Sequence, residues 1–523
     1  MLRLHLAFAF FISAFVLSSP GFAETREKFM TPDILVSEDG EKQSIERGLL
    51  FVPENRQNPA SRIISFHFMR ARALKPNEGA APIFMLPGGP GYERDFKQNR
   101  AFNFLKQLRQ NHDVIYVSQR GYQNAPGLNP DFGFHYLTDL PLDKPGSILK
   151  KVQRERKAYR AAGDEWRKRG IDLAGYDILN IVDDVYDLRE TLGYDKIILR
   201  GCSFGSQWST SYIKLHAATV DRALLSGVEP LDFAYDSAKW LWASMSRVAA
   251  AAEKDPDLAP YIPDGGLMAA LKTVIKRLDD EPVEVSIETE PGQIINIVLG
   301  ADDLRSGTIR YFRSIGRGAP LADLAAWPKF VLEMYNGDFK FLASLMAENR
   351  RDRAAGSLIT YLIDNSIGIS EQRDKQLLAE EERQWIDPNW GYRASRTVSN
   401  TKQVPQSFRD DWNIDVPVLL VTGDYDWSTP VENAEHMEKF LEKGQLLTVE
   451  GGTHCPIMVS DQLTPQRPKL LNQIRRFLSI DTDEKSLTEY FDSLPKSVAL
   501  DPIDFDTPKS PSLYEERQSR GRN

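Results

Sequence analysis

Five residues, Gly201-Cys202-Ser203-Phe204-Gly205, have the types and spacing for covalent chemistry. They follow the apolar run Lys196-Ile-Ile-Leu-Arg200 and precede a helix-like segment, Ser206 to Leu215. A Gly-x-Ser-x-Gly between a strand and a helix forms a tight, strained turn. Its flanking positions must be nearly free of side chains, and the serine hydroxyl stands exposed at a helix N-terminus. That hydroxyl is a poor nucleophile until a base takes its proton and a carboxylate orients the base. In this arrangement acid and base follow the serine, on loops after later strands.

Seven histidines can be weighed as the base. His5 lies in a leader-like segment, and His67, His112 and His135 precede the serine. His216 falls on the helix after the serine, and His436 in a helical segment, Val431 to Lys443. His454, in Gly451-Gly-Thr-His-Cys455 directly after the strand-like run Gln445–Val449, is the expected base. The acid is expected in Gly423-Asp-Tyr-Asp-Trp-Ser-Thr-Pro430, which follows the run Val416–Thr422. Asp426 is preferred; Asp424, nearer the strand end, is the alternative and could instead cap the turn. Acyl transfer also needs backbone donors for the oxyanion. The amide of Phe204 is one. Gly89, in Pro87-Gly-Gly-Pro-Gly91 after the run Ala81–Leu86, supplies the other.

The elements that must hold these residues alternate. Strand-like runs at 48–52, 61–69, 81–86, 113–117, 196–200 and 223–227 are joined by helical spacing such as Ile178, Ile181, Val182, Val185, Leu188 and Leu192. Such alternation predicts an α/β fold with a mostly parallel sheet flanked by helices; the order serine, acid, histidine makes the expected arrangement that of the α/β-hydrolase fold. Residues 24–232 form its first part and 406–480 its second. Between them, 233–405 is rich in Trp and charge and reads as an inserted, mainly helical cap. Residues 481–523, rich in Asp, Glu, Pro and Ser, read as a loosely attached tail.

Met1 to Ala23 has a positive start, an apolar run from Leu6 to Leu17, and small residues at Gly21 and Ala23. That is the pattern of a secretory signal, too short to remain as a membrane span once cleaved. Export to a periplasmic or extracellular space makes the two cysteines, Cys202 and Cys455, a disulfide candidate. The net charge of −9, with no long basic run, argues against a nucleic-acid partner.

The Pro-Gly-Gly-Pro-Gly loop, Gln119-Arg-Gly121, Gly-Cys-Ser-Phe-Gly and Gly423-x-x-Asp426-x-x-Thr-Pro430 resemble, in order, the proline iminopeptidase and tripeptidyl aminopeptidase family of α/β-hydrolases. Gly48-Leu-Leu-Phe-Val-Pro53 is similar to its exported branch. The resemblance covers about 47–232 and 410–480. It implies exopeptidase action on free N-termini, with acids holding the substrate ammonium; Glu229, Asp232, Glu333 and Asp338 are candidates. Pro87 departs from the histidine that many iminopeptidases carry before the glycines. The placement of Cys202 before Ser203 and Cys455 after His454 is also similar to tannases and fungal feruloyl esterases, where a disulfide joins the catalytic loops. The geometry permits it: Ser203 and His454 must approach to about 3 Å, which brings their neighbours near the roughly 4.4–6.8 Å Cα separation of a disulfide. Two buried free thiols are the alternative; the tight turn presents position 203, not 202, as nucleophile.

The expected function is an exported serine hydrolase using Ser203, His454 and Asp426 on a peptide or amide bond, aminopeptidase-like, without metal or organic cofactor. Its partner is a small molecule or short peptide. A carboxylic ester hydrolase is the alternative, and a non-catalytic hydrolase-like binding protein a more distant one.

Overall fold

The computed structural model describes residues 28–77, 79–91, 94–122, 132–137, 140–306, 324–351, 353–396, 401–456, 467–509 and 511–520. The leader segment 1–23 lies outside them. In chain order the strands are β1 (Lys28–Val36), β2 (Lys42–Pro53), β3 (Ile63–Ala71), β4 (Ile83–Leu86), β5 (Val114–Val117), β6 (Gly133–Leu137), β7 (Ile197–Cys202), β8 (Val220–Ser226), β9 (Val283–Glu290), β10 (Gln293–Leu299), β11 (Arg353–Ser357), β12 (Val418–Gly423), β13 (Gly444–Glu450) and β14 (Ser497–Ala499).

Ten of them form one sheet in the order β1-β2-β3-β5-β4-β7-β8-β12-β13-β14. The central strands are continuous apolar runs, such as Ile83-Phe-Met-Leu86 and Val114-Ile-Tyr-Val117, with every residue buried. Such runs need cover on both faces, which parallel strands with helical crossovers provide. From β5 to β14 all neighbours are parallel. β1, β2 and β3 add an antiparallel edge, in which β2 alternates between buried and more exposed residues and the outermost β1 is mostly exposed. One face of the sheet is covered by helices Ile178–Leu192 and Phe204–His216, the other by helices Asn99–Leu108 and Arg467–Ser479. Helix Ile178–Leu192 shows how sequence sets such bounds: Asp177 caps the Asn180 amide at 2.7 Å, and Gly193 ends it at φ 78°. Going from β4 to β5 and back across to β7, the chain reverses its direction over the sheet. The loops after β4 and β7 therefore lie side by side, where such sheets form their crevice.

The covering layer differs from the helical cap expected over 233–405. Helices Ala238–Ala252, Gly266–Asp280, Trp327–Tyr335 and Lys340–Arg351 do share a separate core, but the hairpin β9–β10 is part of it. Helix Leu358–Ile367, with Val404 and Phe408, belongs instead to the core on the sheet. The cover also recruits residues from the first part: β6 pairs antiparallel with β11, and helix Ile148–Lys168 packs against helices Leu358–Ile367 and Trp390–Arg396. Phe132, Phe134, Tyr159 and Trp166 are its aromatic anchors.

The C-terminal segment is not a loose tail. β14 extends the sheet beside β13, and Leu487 and Tyr490 of helix Glu484–Ser493 are buried. Phe505 and Leu513 are buried in the core of the cover. Few but well-spaced apolar anchors, diluted by acidic residues and proline, escape a reading by composition. Helix Leu513–Arg520 docks on helix Trp327–Tyr335: Lys329 Nζ donates to Pro511 O (2.6 Å) and Glu516 Oε1 (2.7 Å), and Glu333 accepts the Leu513 amide at 3.1 Å.

Burial pushes the Glu333 carboxyl up to about 7; the Leu513 amide and Lys329 oppose the shift, and Asp338 and Glu516 add to it. The folded state therefore holds a proton that the unfolded chain releases near 4.5. The stabilising contribution is complete at low pH and is lost as pH rises through about 7. Amide exchange of residues 513–520 should accordingly be slower at pH 5 than at pH 8, after correction for intrinsic rates. Glu333→Gln should flatten that dependence.

Candidate active site

β7 ends at Cys202, and helix Phe204–His216 starts directly after Ser203. Ser203 is one of two non-glycine residues with positive φ among the described residues, at φ 58° and ψ −132°. Such backbone costs on the order of 1–3 kcal/mol and persists only where surroundings impose it. Here they do. A Cβ on Gly201 would lie 2.3 Å from the Gly205 carbonyl oxygen, and one on Gly205 would lie 2.1 Å from that of Leu86. The Ser203 amide donates to Ser226 O (2.9 Å), and the Ser206 hydroxyl donates to Ser203 O (2.7 Å).

The loop Pro87–Gly91 lies against this turn. A Cβ on Gly88 would lie 2.9 Å from Cys202 O and 3.0 Å from Ser203 Cβ. Neither the Gly89 nor the Phe204 amide donates a hydrogen bond among the described residues, so both remain available to an oxyanion. Gln119 braces the loop: its Oε1 accepts the Gly91 amide at 2.8 Å, and its Nε2 reaches Pro87 O at 3.5 Å. Arg120 does different work. It is fully buried and paired with Asp184 through Nε (2.7 Å) and Nη2 (2.5 Å), tying β5 to helix Ile178–Leu192.

Asp426 and His454 meet across the loops after β12 and β13. His454 Nδ1 is 2.9 Å from Asp426 Oδ2 and 3.1 Å from Oδ1. The Ser428 and Thr429 amides donate to Asp426 Oδ1, both at 2.8 Å, and the Thr429 hydroxyl donates to Oδ2 at 2.7 Å. With Nδ1 donating to the carboxylate, Nε2 carries the lone pair. Asp424 points elsewhere: it accepts the Gly451 amide at 2.7 Å, and burial raises its carboxyl above the usual range. Thr429 stood in the Gly423-x-x-Asp426-x-x-Thr-Pro430 motif without an assigned role, although a Ser-Thr-Pro beginning two residues after the acid is a signal for a turn that caps it.

Ser203 Oγ donates to Glu229 Oε1 at 3.4 Å, and no hydrogen bond joins it to His454 among the described residues. Catalytic contacts of this kind often close only once substrate is bound. Cys202 and Cys455 form a disulfide with a Cα–Cα distance of 6.0 Å, spanning 253 residues of chain. The sulfurs lie close to a ring nitrogen of His454, but as a bridge they offer no thiolate to a metal.

Of the four acids considered for the substrate ammonium, only Glu229 reaches the nucleophile. Asp232 accepts from the Ser370 amide and hydroxyl, both at 2.6 Å. Glu333 holds the C-terminal helix, and Asp338 caps the Lys340 amide at 3.0 Å. These three serve the fold.

A family model described as the alpha/beta hydrolase fold matches residues 81–261, from β4 through the Ser203 turn. A second, described as a TAP-like protein, matches 387–463, which carry Asp426 and His454. No curated protein matches the chain. Among solved structures, a serine hydrolase from the polyaromatic-hydrocarbon-degrading bacterium Cycloclasticus zankles is 13% identical (TM-score 0.33), covering 86% of this chain and 96% of its own. The 2-hydroxy-6-oxo-6-phenylhexa-2,4-dienoate hydrolase of Rhodococcus sp. strain RHA1 is 12% identical (TM-score 0.34; 85% and 100% covered). The esterase RhEst1 from Rhodococcus sp. ECU1013 is 15% identical (TM-score 0.32; 86% and 98% covered). Likenesses this distant carry no argument about substrate.

Asp426→Asn should lower kcat by about 10⁴-fold by reversing the imidazole tautomer, and Asp424→Asn by less than about tenfold. Steady-state rates of the two variants decide between the carboxylates; the opposite ranking would reassign the acid. Unreduced, denatured protein should take up no alkylating reagent on its two cysteines, as read by intact mass. Reduction in the native state should slow turnover on the order of 10²-fold before the protein melts, because the bridge limits drift between the Ser203 and His454 loops.

Proposed function

We propose that this enzyme of the α/β-hydrolase fold is an exported serine hydrolase that removes single residues from free N-termini of short peptides or aminoacyl amides. His454 Nε2 takes the Ser203 proton as Oγ attacks the scissile carbonyl carbon. Asp426 holds the imidazole and stabilises its cation, and the Gly89 and Phe204 amides receive the oxyanion. His454 passes the proton to the leaving amine. Water then attacks the acyl-enzyme, giving a proton to His454; the bond from the acyl carbon to Oγ breaks, His454 returns that proton to Ser203 Oγ, and the acyl group leaves as a carboxylic acid.

The observation that carries this reading is Glu229, 3.4 Å from the nucleophile. An α-ammonium sits only about 2.5 Å from the carbonyl carbon of its own residue, by standard backbone dimensions. A carboxylate that binds it at about 2.8 Å must therefore lie within a few Å of the attacking oxygen. Each further residue between ammonium and scissile bond adds up to roughly 3.3–3.6 Å. Glu229 thus suits release of one residue better than release of three. The disulfide supports action outside the reducing cytoplasm.

The test is a side-by-side assay of aminoacyl anilides, their N-acetylated forms, tripeptidyl anilides and aryl esters, with Ser203→Ala as the inactive control. Blocking the α-amine should cost about 2–5 kcal/mol of transition-state binding. Glu229→Gln should erase most of that preference while keeping ester cleavage. Equal rates on blocked and free substrates, with esters fastest, would favour a carboxylic ester hydrolase. A preference for tripeptidyl anilides would place the ammonium site farther out.

A further inference from the structure

The oxyanion loop is held from the covering layer as well as from the sheet. Pro90 O accepts the Thr360 hydroxyl at 3.1 Å, and Thr360 Oγ1 lies 2.5 Å from the Tyr122 hydroxyl. The three residues are far apart in sequence: Pro90 on the loop after β4, Tyr122 after β5, Thr360 in the first turn of helix Leu358–Ile367. Thr360 has one hydroxyl proton. With that proton on Pro90 O, the Tyr122 hydroxyl is the donor to Thr360. Burial raises the Tyr122 phenol well above its ordinary value, which keeps it a donor.

The fit around this chain of bonds leaves little slack. A Cβ on Gly91 would lie 1.9 Å from the Tyr122 ring, so the loop backbone rests flat on it. A Cβ on Gly121 would lie 2.9 Å from Ile359, so the helix sits directly on the turn that carries Tyr122. Leu358, Ile359, Leu362 and Ile363 are buried in the core on the sheet. Next to Thr360, Tyr361 packs on Tyr159 at 4.5 Å, within helix Ile148–Lys168 of the cover. The helix is therefore fixed on both sides, and Thr360 transmits that position to the loop.

We propose that Thr360 and Tyr122 are positioning residues for the oxyanion hole: their relayed hydrogen bond fixes the Pro90 carbonyl and so aims the Gly89 amide one residue earlier. Gln119 secures Pro87 and Gly91, the two ends of the loop. Thr360 holds Pro90, next to Gly89. An amide that stabilises a transition state must be in place before charge develops, because reorienting it during reaction forfeits the gain. The proposal rests on the serine-hydrolase reading, but not on whether the substrate is a peptide or an ester.

Thr360→Val keeps the shape and removes the relay; Thr360→Ser keeps the hydroxyl; Tyr122→Phe removes only the outer donor. The readouts are labelling rate with a fluorophosphonate probe, and kcat and KM on an aryl ester and an aminoacyl anilide, all per titrated serine. Thr360→Val should lower kcat and labelling rate by about 10- to 100-fold with KM changed less than about twofold. Thr360→Ser should recover to within about threefold of the native rate, and Tyr122→Phe should fall between. A merely structural role would reduce the titratable fraction or the melting temperature and leave the rate per active serine unchanged. A native-like rate per serine in Thr360→Val overturns the proposal. Should that variant fail to fold, a native-like rate in Tyr122→Phe overturns it. Absence of labelling in the unsubstituted protein would overturn the serine-hydrolase reading itself, and this inference with it.

Discussion

Two turns packed backbone against backbone are the constraint from which the rest of this structure follows. The loop after β4 and the turn after β7 approach so closely that Gly88, Gly201 and Gly205 leave no space for a Cβ. That contact accompanies the positive φ of Ser203 and sets the Pro87–Gly91 loop against its side chain, a Cβ on Gly88 falling 3.0 Å from Ser203 Cβ. A third turn closes on the same point: a Cβ on Gly227, after β8, would lie 2.9 Å from His454 and 2.8 Å from the Cys455 sulfur. Cys455 is the other non-glycine residue with positive φ, at 52°. Cys455 is itself half of the disulfide, and Ser203 directly follows its other half, Cys202. Adjacent parallel strands are what place such turns at one edge of a sheet, so the fold and the strain have one origin.

Two carboxylates border this point, and their surroundings give them different work. Asp426 is wholly buried and satisfied by two amides, a hydroxyl and the imidazole. Its geometry suits a fixed counter-charge for a cation that forms beside it. Glu229 is only partly buried, and one of its oxygens faces the nucleophile. A charge there opposes an oxyanion that forms nearby unless a cation offsets it. Under the proposed action on free N-termini, a substrate ammonium supplies that cation, and acyl groups that lack one are penalised.

The residues of the site were legible because their chemistry demands particular types at particular spacings. Ser203, Asp426 and His454 each follow a run that can only be a buried strand, and glycine is the sole residue that tolerates the approaches around them. Asp232, Glu333 and Asp338 illustrate the limit. An acid that caps an amide and one that binds a substrate look the same in sequence, and only the partner separates them. The C-terminal segment failed for another reason: its apolar anchors Tyr490, Val498, Phe505 and Leu513 are spaced too widely for periodicity to register. Thr360 carried no signal at all, because the hydrogen bond that matters spans 270 residues.

The Cys202–Cys455 bridge also changes what a cut chain would be. It closes a ring that contains the helix after Ser203, most of the covering layer, β8, β12 and β13. A protease that nicks any loop between Ser203 and Asp426 leaves the nucleophile on one fragment and the acid and base on the other, with the two still covalently joined. The molecule is then a two-chain protein whose halves cannot diffuse apart, in the manner of a zymogen cleaved yet held by its cystine. In an environment rich in proteases, that topology lets the cover be breached without dispersing the residues beneath it.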